Sequence, residues 1–314
     1  MILRAAILWF VIARVICAQS EPAEAMQHAR KAYELARAGQ TDSAIAEMRE
    51  SVRLAPGNAL YRSALGGIYE RQGNLELAVV EFAEAVRLDP INSKVKEHLE
   101  AVSLEWGATL ARERRFRAGL THAKATAVRF PQSSQAHIML GLFETRNQQN
   151  VAAVSAYRRA LQLDPKSLNA SAGLGMALSN AGLTKEASAV FEAGIRAFPS
   201  DATHRQAYGV LLVKMAEAGQ STPDRGVAML ESALALDATL TEAHYQLGSI
   251  ALSRGDAAAA ERHFAAAAQG GLDDSRIHYA MARALRRLDR TSEAAQHLKL
   301  FEQRKQSETA GSVQ

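Results

Sequence analysis

Residues 61–90 read YRSALGGIYERQGNLELAVVEFAEAVRLDP, and the same pattern of residue types returns along the chain. It recurs at residues 136–165 as AHIMLGLFETRNQQNVAAVSAYRRALQLDP and at residues 170–199 as ASAGLGMALSNAGLTKEASAVFEAGIRAFP. The prolines that close these copies keep a fixed spacing: Pro56 and Pro90 are 34 residues apart, and so are Pro131, Pro165 and Pro199. Self-similarity at such a period indicates an array of small repeated units.

The residue types within one copy predict two helices that pack closely together. The first stretch carries a glycine in its middle, where glycine costs up to about 1 kcal/mol relative to alanine. A repeated cost of this kind indicates that only a missing side chain lets a partner helix approach. The second stretch carries a small residue and, four positions later, an aromatic residue that fills the space between helices. The glycines are Gly66, Gly141, Gly175, Gly209 and Gly248, the small residues Ala78, Ala153, Ala187 and Ala260, and the aromatic residues Phe82, Tyr157, Phe191 and Phe264.

This pattern resembles the tetratricopeptide repeat (TPR) family. The resemblance implies an all-α fold, a right-handed α-solenoid (superhelix) of helix-turn-helix repeats. We expect about eight repeats, starting near residues 25, 59, 100, 134, 168, 202, 241 and 275, and together covering residues 25–305. Residues 19–24 are expected to form a short linker, and residues 306–314 a disordered tail.

The first residues, MILRAAILWFVIARVICAQS, predict a secretory signal peptide spanning residues 1–18. Arg4 supplies the positive charge, Ala5–Ala13 the apolar core, and Ala18 is the last residue removed. An uncleaved membrane anchor remains the alternative, although the apolar run is short and Arg14 interrupts it. Cleavage would leave a periplasmic or secreted protein without cysteine, since Cys17 is the only one.

Composition and charge exclude several functional classes. The formal net charge is +4, and removal of Arg4 and Arg14 with the signal peptide leaves +2, so nucleic-acid binding is not expected. The nine histidines are spread over the repeats without a metal-ligand spacing, and neither an HExxH motif nor a CxxC motif accompanies them. Gly173 and Gly175 lie within a helical stretch and not in a phosphate-binding loop. We therefore predict no enzyme, and no catalytic residue, metal site or cofactor.

The resemblance implies a partner-binding groove, because the first helix of each TPR repeat lines the concave side of the superhelix. The expected lining residues are Tyr33, Leu104, Ile138, Leu142, Met176, Val210, Tyr245 and Tyr279. Basic residues follow at the ends of the same helices, namely Arg37, Arg71, Arg112, Arg146, Lys214, Arg286 and Arg287. These cations have two compatible explanations, favourable charge at a helix C-terminus and contact with a ligand.

The predicted function is that of an exported adaptor or scaffold, which binds a protein or peptide segment in this groove. An apolar groove with arginines along one edge fits a segment with apolar and acidic residues. The alternative is a structural assembly factor of the cell envelope, for outer-membrane, pilus, secretion or glycan assembly, that bridges several partners and self-associates. Membrane contact is expected only through an uncleaved signal peptide.

Overall fold

The computed structural model describes residues 22–220 and 222–311, with side chains up to residue 308. The predicted signal peptide lies outside these described residues. Within them the chain is all-α, without a strand, as the repeat pattern predicts. The helices are α1 (Ala23–Arg37), α2 (Thr41–Leu54), α3 (Ala59–Gln72), α4 (Leu75–Leu88), α5 (Ser93–Arg112), α6 (Phe116–Arg129), α7 (Ser134–Arg146), α8 (Asn150–Leu163), α9 (Leu168–Asn180), α10 (Thr184–Ala197), α11 (Thr203–Glu217), α12 (Pro223–Leu236), α13 (Thr241–Ser253), α14 (Ala257–Gln269), α15 (Ser275–Arg287) and α16 (Thr291–Gly311).

These helices form eight consecutive pairs, each pair being one repeat, so the predicted number of about eight repeats is confirmed. Helix α1 begins at Ala23, within the segment expected to be a linker, and α5 begins at Ser93 instead of near residue 100. Helix α5 is therefore 20 residues long, because the additional residues before Glu100 join it as extra turns.

The end of the chain differs from the expectation of a disordered tail after residue 305. Helix α16 continues to Gly311. The Glu308 carboxylate accepts hydrogen bonds from the backbone N–H and the hydroxyl of Ser275, at 2.8 and 2.7 Å. Arg304 pairs with Asp273 one turn earlier. These contacts with the start of α15 account for the continued helix.

The chain divides into two compact units, unit 1 up to Met139 and unit 2 from Leu140. In unit 1 a single buried apolar cluster runs through successive repeats and contains Met48, Leu65, Phe82, Leu99 and Phe130. Each repeat therefore covers the apolar side of its neighbour, which is how helical repeats acquire a core that none of them has alone.

Unit 2 is built in the same way. Val213, Leu230 and Leu247 form one cluster that joins α11, α12 and α13. Phe264 and Ile277 belong to another, which joins α13, α14 and α15. Helix α13 contributes to both clusters, so neighbouring repeats within unit 2 share a core.

Candidate partner-binding site

The first helices of the repeats form one layer in unit 2. Helix α9 contacts α11, α11 contacts α13, and α13 contacts α15. Within unit 2, no pair of consecutive second helices shows a contact as extensive as these among the described residues. Helices on the inside of a curved stack approach each other more closely than those on the outside, so the first helices are on the inner side of unit 2.

Side chains at three equivalent positions, four residues apart, share one face of each first helix. We call this surface the inner face. Its rows are Ala172, Gln206, Tyr245 and Tyr279; then Leu142, Met176, Val210, Ser249 and Arg283; then Arg146, Asn180, Lys214, Ser253 and Arg287. In the first two rows, the large apolar residues Leu142, Met176 and Val210 lie on α7, α9 and α11. The tyrosines and Arg283 lie on α13 and α15, and Gln206 and Ser249 are the polar exceptions between them.

The large residues predicted for this surface are accessible in the structure. The exposed fraction is 45% for Met176 and 48% for Tyr279. Leu142, Val210 and Tyr245 are half-buried. Apolar groups of this size at equivalent positions of adjacent helices present a surface on which a partner can bury its own apolar side chains.

The structure adds two arginines to this surface that the sequence analysis missed. The Arg276 guanidinium lies 5.1 Å from the centre of the Tyr245 ring, and that of Arg283 lies 5.9 Å from the centre of the Tyr279 ring. Both distances fit cation–π contacts. Tyr279 and Arg283 are four residues apart on one helix, and this spacing could have predicted their contact from the sequence. Arg276 and Tyr245 lie in two different repeats, and no sequence spacing predicts their contact.

The last helix also contributes an aromatic residue that sequence analysis missed. The ring of Phe301 lies 5.3 Å from that of Tyr279, measured between centres, and the Lys305 ammonium lies 5.5 Å from the centre of the Phe301 ring. Helix α15 itself carries four arginines and no acidic residue. The α15–α16 end of unit 2 is therefore aromatic and positively charged.

The basic residues predicted at helix ends do not share one role. Arg287 donates a hydrogen bond to the backbone carbonyl of Leu252, in the last turn of α13, and so satisfies a helix C-terminus. The Arg37 guanidinium lies 6.0 Å from the centre of the Tyr33 ring. The remaining ones are exposed: Arg71 and Arg112 in unit 1, and Arg146, Lys214 and Arg286 in unit 2.

Unit 1 has a smaller surface of similar character. Tyr33, 64% exposed, lines a shallow pocket between α1 and α3 together with Met26, Ala29, Arg30, Glu34 and Tyr61. Leu104 and Ile138, also predicted to bind the partner, are half-buried in unit 1. The structure thus distributes the predicted site residues over two units.

The described residues contain no group of three or more His, Cys, Asp or Glu side chains arranged to hold a metal ion. The structure does bring four histidines into two pairs, His244 with His263 and His278 with His297. The sequence analysis separated these histidines because it considered motif spacing and not the contact between two helices. Among the described residues, no helix has the length and apolar character to cross a membrane.

Comparison with solved structures shows the fold that these chains share. One match is a tetratricopeptide repeat protein from Parabacteroides merdae, with 18% identity, a TM-score of 0.54, and coverage of 83% of this chain and 99% of that one. A thermophilic TPR protein from Thermus thermophilus matches with 24% identity and a TM-score of 0.51, covering 59% of this chain and 98% of that one. PilF of Pseudomonas aeruginosa matches with 16% identity and a TM-score of 0.52, covering 64% and 90%.

A search of curated proteins finds no match. Two family models, both described as tetratricopeptide repeat, match the sequence directly. One matches residues 29–92, 104–167 and 245–308, which is more than half of the chain, and the other matches residues 145–211. With the paired helices and the closely packed glycines and aromatic rings, these matches show that the chain belongs to the tetratricopeptide repeat family.

Proposed function

We propose that this protein is an exported adaptor that holds a segment of a partner protein against the inner face of unit 2. The TPR fold supports the general role of a protein-interaction scaffold. The proposal that the partner binds on the inner face of unit 2 depends on one observation. At equivalent positions, the first helices expose apolar groups at one end of unit 2 and tyrosines with arginines at the other.

This change along the inner face defines the chemistry of the partner segment. Met176, with Leu142 and Val210 at the equivalent positions of α7 and α11, can bury apolar side chains. Arg276 and Arg283, beside the tyrosines, favour carboxylates. Arg276 already lies 2.8 Å from Asp274 and 3.8 Å from Glu242, so part of its charge is balanced within the protein. Arg283 therefore contributes more to the attraction of an acidic residue, and we expect the affinity to fall as salt concentration rises.

Site-specific photo-crosslinking in the native host tests the location of the partner. A photoreactive amino acid is placed at Met176, and a control is placed at Val151, which is exposed on the second helix α8. We expect a discrete crosslinked product from position 176 and none from position 151. Equal crosslinking from both positions would reject the inner face as the binding surface.

A charge substitution then tests the contribution of the apolar positions. The double variant Leu142→Glu, Met176→Glu places two carboxylates on the surface that would bury apolar groups, so we expect the crosslinked partner, once isolated, to bind at least tenfold more weakly. The variant Val151→Glu, with one new charge on α8, should bind like the wild type. Circular dichroism spectra and melting temperatures of the variants show whether the fold is unchanged. Undiminished binding by the folded double variant contradicts the proposal.

Export is supported by the charged and apolar pattern of residues 1–18 and is tested independently. Mass spectrometry of the protein purified from the native host should give a mature chain that begins at Gln19 in an extracytoplasmic fraction. A chain that retains residues 1–18 would support the anchored alternative.

The envelope-assembly alternative requires more than one binding surface, and the pocket of unit 1 is an observation in its favour. Tyr33 and Met26 are both exposed there. If this pocket binds a second partner, a photoreactive amino acid at Met26 should give a crosslinked product of its own. Tyr33→Glu should abolish that product and leave the product from position 176 intact.

A further inference from the structure

Two histidine pairs occupy the same position in the last two repeats. The Nδ1 atoms of His244 and His263 lie 3.1 Å apart, and those of His278 and His297 lie 3.2 Å apart. In each pair one histidine is near the start of the first helix, and the other is 19 residues later on the second helix. All four imidazoles are half-buried, so each pair lies at the edge of its repeat and is accessible from solvent.

The same position holds a different kind of pair in the first repeats. His28 contacts Glu47 at 2.6 Å, and Arg62 contacts Glu81 at 2.9 Å. Each of those pairs combines a basic group with a carboxylate. Two imidazoles offer no opposite charge, so nitrogen atoms at 3.1–3.2 Å have to share either a proton or a bound cation.

The surroundings fix the tautomer of the first histidine in each pair. The Nε2 atom of His244 lies 3.1 Å from the carbonyl oxygen of Ala238, and Nε2 of His278 lies 3.0 Å from a carboxylate oxygen of Asp273. Both oxygens only accept hydrogen bonds, so each Nε2 carries the proton. In the neutral ring, Nδ1 then presents its lone pair to the second histidine. A hydrogen bond from the opposite ring nitrogen to a carbonyl or carboxylate is also the usual arrangement for a metal-binding histidine.

We propose that each pair binds one divalent first-row transition-metal ion through its two Nδ1 atoms, with water completing the coordination. Metal–imidazole bonds are about 2.0–2.1 Å long, which places two nitrogens about 2.9 Å apart at a right angle and about 3.4 Å apart at the tetrahedral angle. The distances of 3.1 and 3.2 Å lie between these values. Imidazole ligands suit copper, nickel and zinc, and Cu²⁺ binds most tightly in this series.

The second histidine of each pair is affected in the same way by its surroundings. Burial lowers the pKa of His263, and the neighbouring His244 and Arg262 lower it further, while Glu231 opposes this effect. Burial also lowers the pKa of His297, together with His278, while Glu293 opposes it.

Titration of the untagged full chain with Cu²⁺ at pH 7.5 tests the proposal. We expect two ions per chain, with an electron paramagnetic resonance spectrum that shows two nitrogen ligands per ion. His263→Gln and His297→Gln should each leave one ion, and the double variant should bind neither. His137→Gln is the matched control: His137 occupies the same helix position and contacts a carbonyl oxygen, that of Pro131, in the same way, but the residue 19 positions later is Ala156. It should leave both ions.

The carboxylate behind His278 provides a second measurement. Asp273→Asn removes the charge but keeps the side-chain volume, and we expect it to weaken Cu²⁺ binding at the second pair about tenfold without an effect on the first. Copper bound equally by the wild type and by the folded double variant contradicts the proposal, and the pairs are then hydrogen-bonded histidines. Because these residues are separate from the inner face, that result leaves the proposed function unaffected.

Discussion

Gly175 lies in the middle of helix α9, where a methyl group would come within 2.3 Å of the Phe191 ring. Two residues earlier, a methyl group on Gly173 would come within 2.4 Å of the Tyr157 ring from the preceding repeat. One helix therefore uses two glycines to admit two aromatic rings, one from each side. The cost of glycine in a helix is offset by the close packing of these rings. The Tyr157 ring is buried so deeply by this packing that the pKa of its hydroxyl is raised to about 12.

Substitution of Gly175 tests this packing at the residue scale. Gly175→Ala should lower the free energy of unfolding by about 1–3 kcal/mol, since the Phe191 ring that the methyl group would displace is buried. Gly67→Ala is the control, because a methyl group there has no neighbour within 4 Å and alanine favours the helix. It should raise the free energy of unfolding by up to about 1 kcal/mol. Urea denaturation measures both, and equal effects of the two substitutions would contradict the assigned packing.

At the scale of the element, the turn between the two helices of every repeat contains a residue with positive φ. Glycine fills this position in five turns: Gly39, Gly73, Gly182, Gly219 and Gly255. Arg114, Gln148 and Asp289 fill it in the other three, with φ of 59°, 61° and 58°. A side chain is disfavoured in this left-handed conformation, so these three turns carry local strain.

Release of this strain should stabilise the protein. Gln148→Gly is expected to raise the free energy of unfolding by about 1 kcal/mol, because glycine adopts positive φ without a steric penalty. Gly182→Ala, the reverse change at the same turn position, should lower it by a similar amount. Thermal denaturation compares the two, and destabilisation by Gln148→Gly would show that the turn tolerates glutamine better than its backbone indicates.

Helix α16 offers a second test at this scale, since residues 306–311 are helical instead of disordered. Removal of residues 306–314 eliminates the Glu308 acceptor of the Ser275 N–H. We expect faster hydrogen exchange at the Ser275 amide and a stability loss below about 1 kcal/mol, because the contact is exposed. The variant Glu308→Gln should show a smaller effect of the same kind. Unchanged exchange at Ser275 would indicate that this end of the helix is open in solution.

At the scale of the whole molecule, both units contain histidines with a lowered pKa. Burial lowers the pKa of His122 in unit 1, against the opposing hydrogen bond to the Ser103 carbonyl. Burial likewise lowers the pKa of His204 in unit 2, where Asp201 opposes it. His204 is fully buried, packs against the Phe198 ring, and hydrogen-bonds Ser171 through Nε2 at 3.0 Å. Its protonation would place a charge in the core.

These histidines predict destabilisation in mild acid. The folded pKa lies below the unfolded value of about 6.5, so the unfolded chain takes up protons first and stability falls as the pH drops below that value. We expect a lower melting temperature at pH 5.5 than at pH 7.5, measured with a chelator present. His204→Phe should reduce this difference, because it removes one titrating ring and keeps an aromatic side chain. The carboxylates that form ion pairs, such as Glu47 and Asp273, have lowered pKa values and titrate at lower pH. A melting temperature that is equal at both pH values contradicts the prediction.

The sequence was sufficient to predict the repeats and much of the candidate surface. Gly175 and Phe191 are 16 residues apart, within one repeat, and such local contacts return with the 34-residue period. Met176 and Tyr279 follow from the same period, because equivalent positions of the first helices face the same side. Local helical periodicity therefore determined the pairing of the helices and the side chains that each first helix presents.

Tertiary structure alone decided the contacts that cross between helices without a shared sequence signal. Arg276 approaches Tyr245 in the neighbouring repeat, His263 approaches His244 across a helix pair, and α16 continues because Asp273 and Ser275 bind its side chains. The distance between two such side chains depends on the rotation and offset of the packed helices, and many sequences share the same apolar period at different offsets. The chain thus determined its architecture by periodicity, whereas the polar pairs on that architecture were set by how the helices pack.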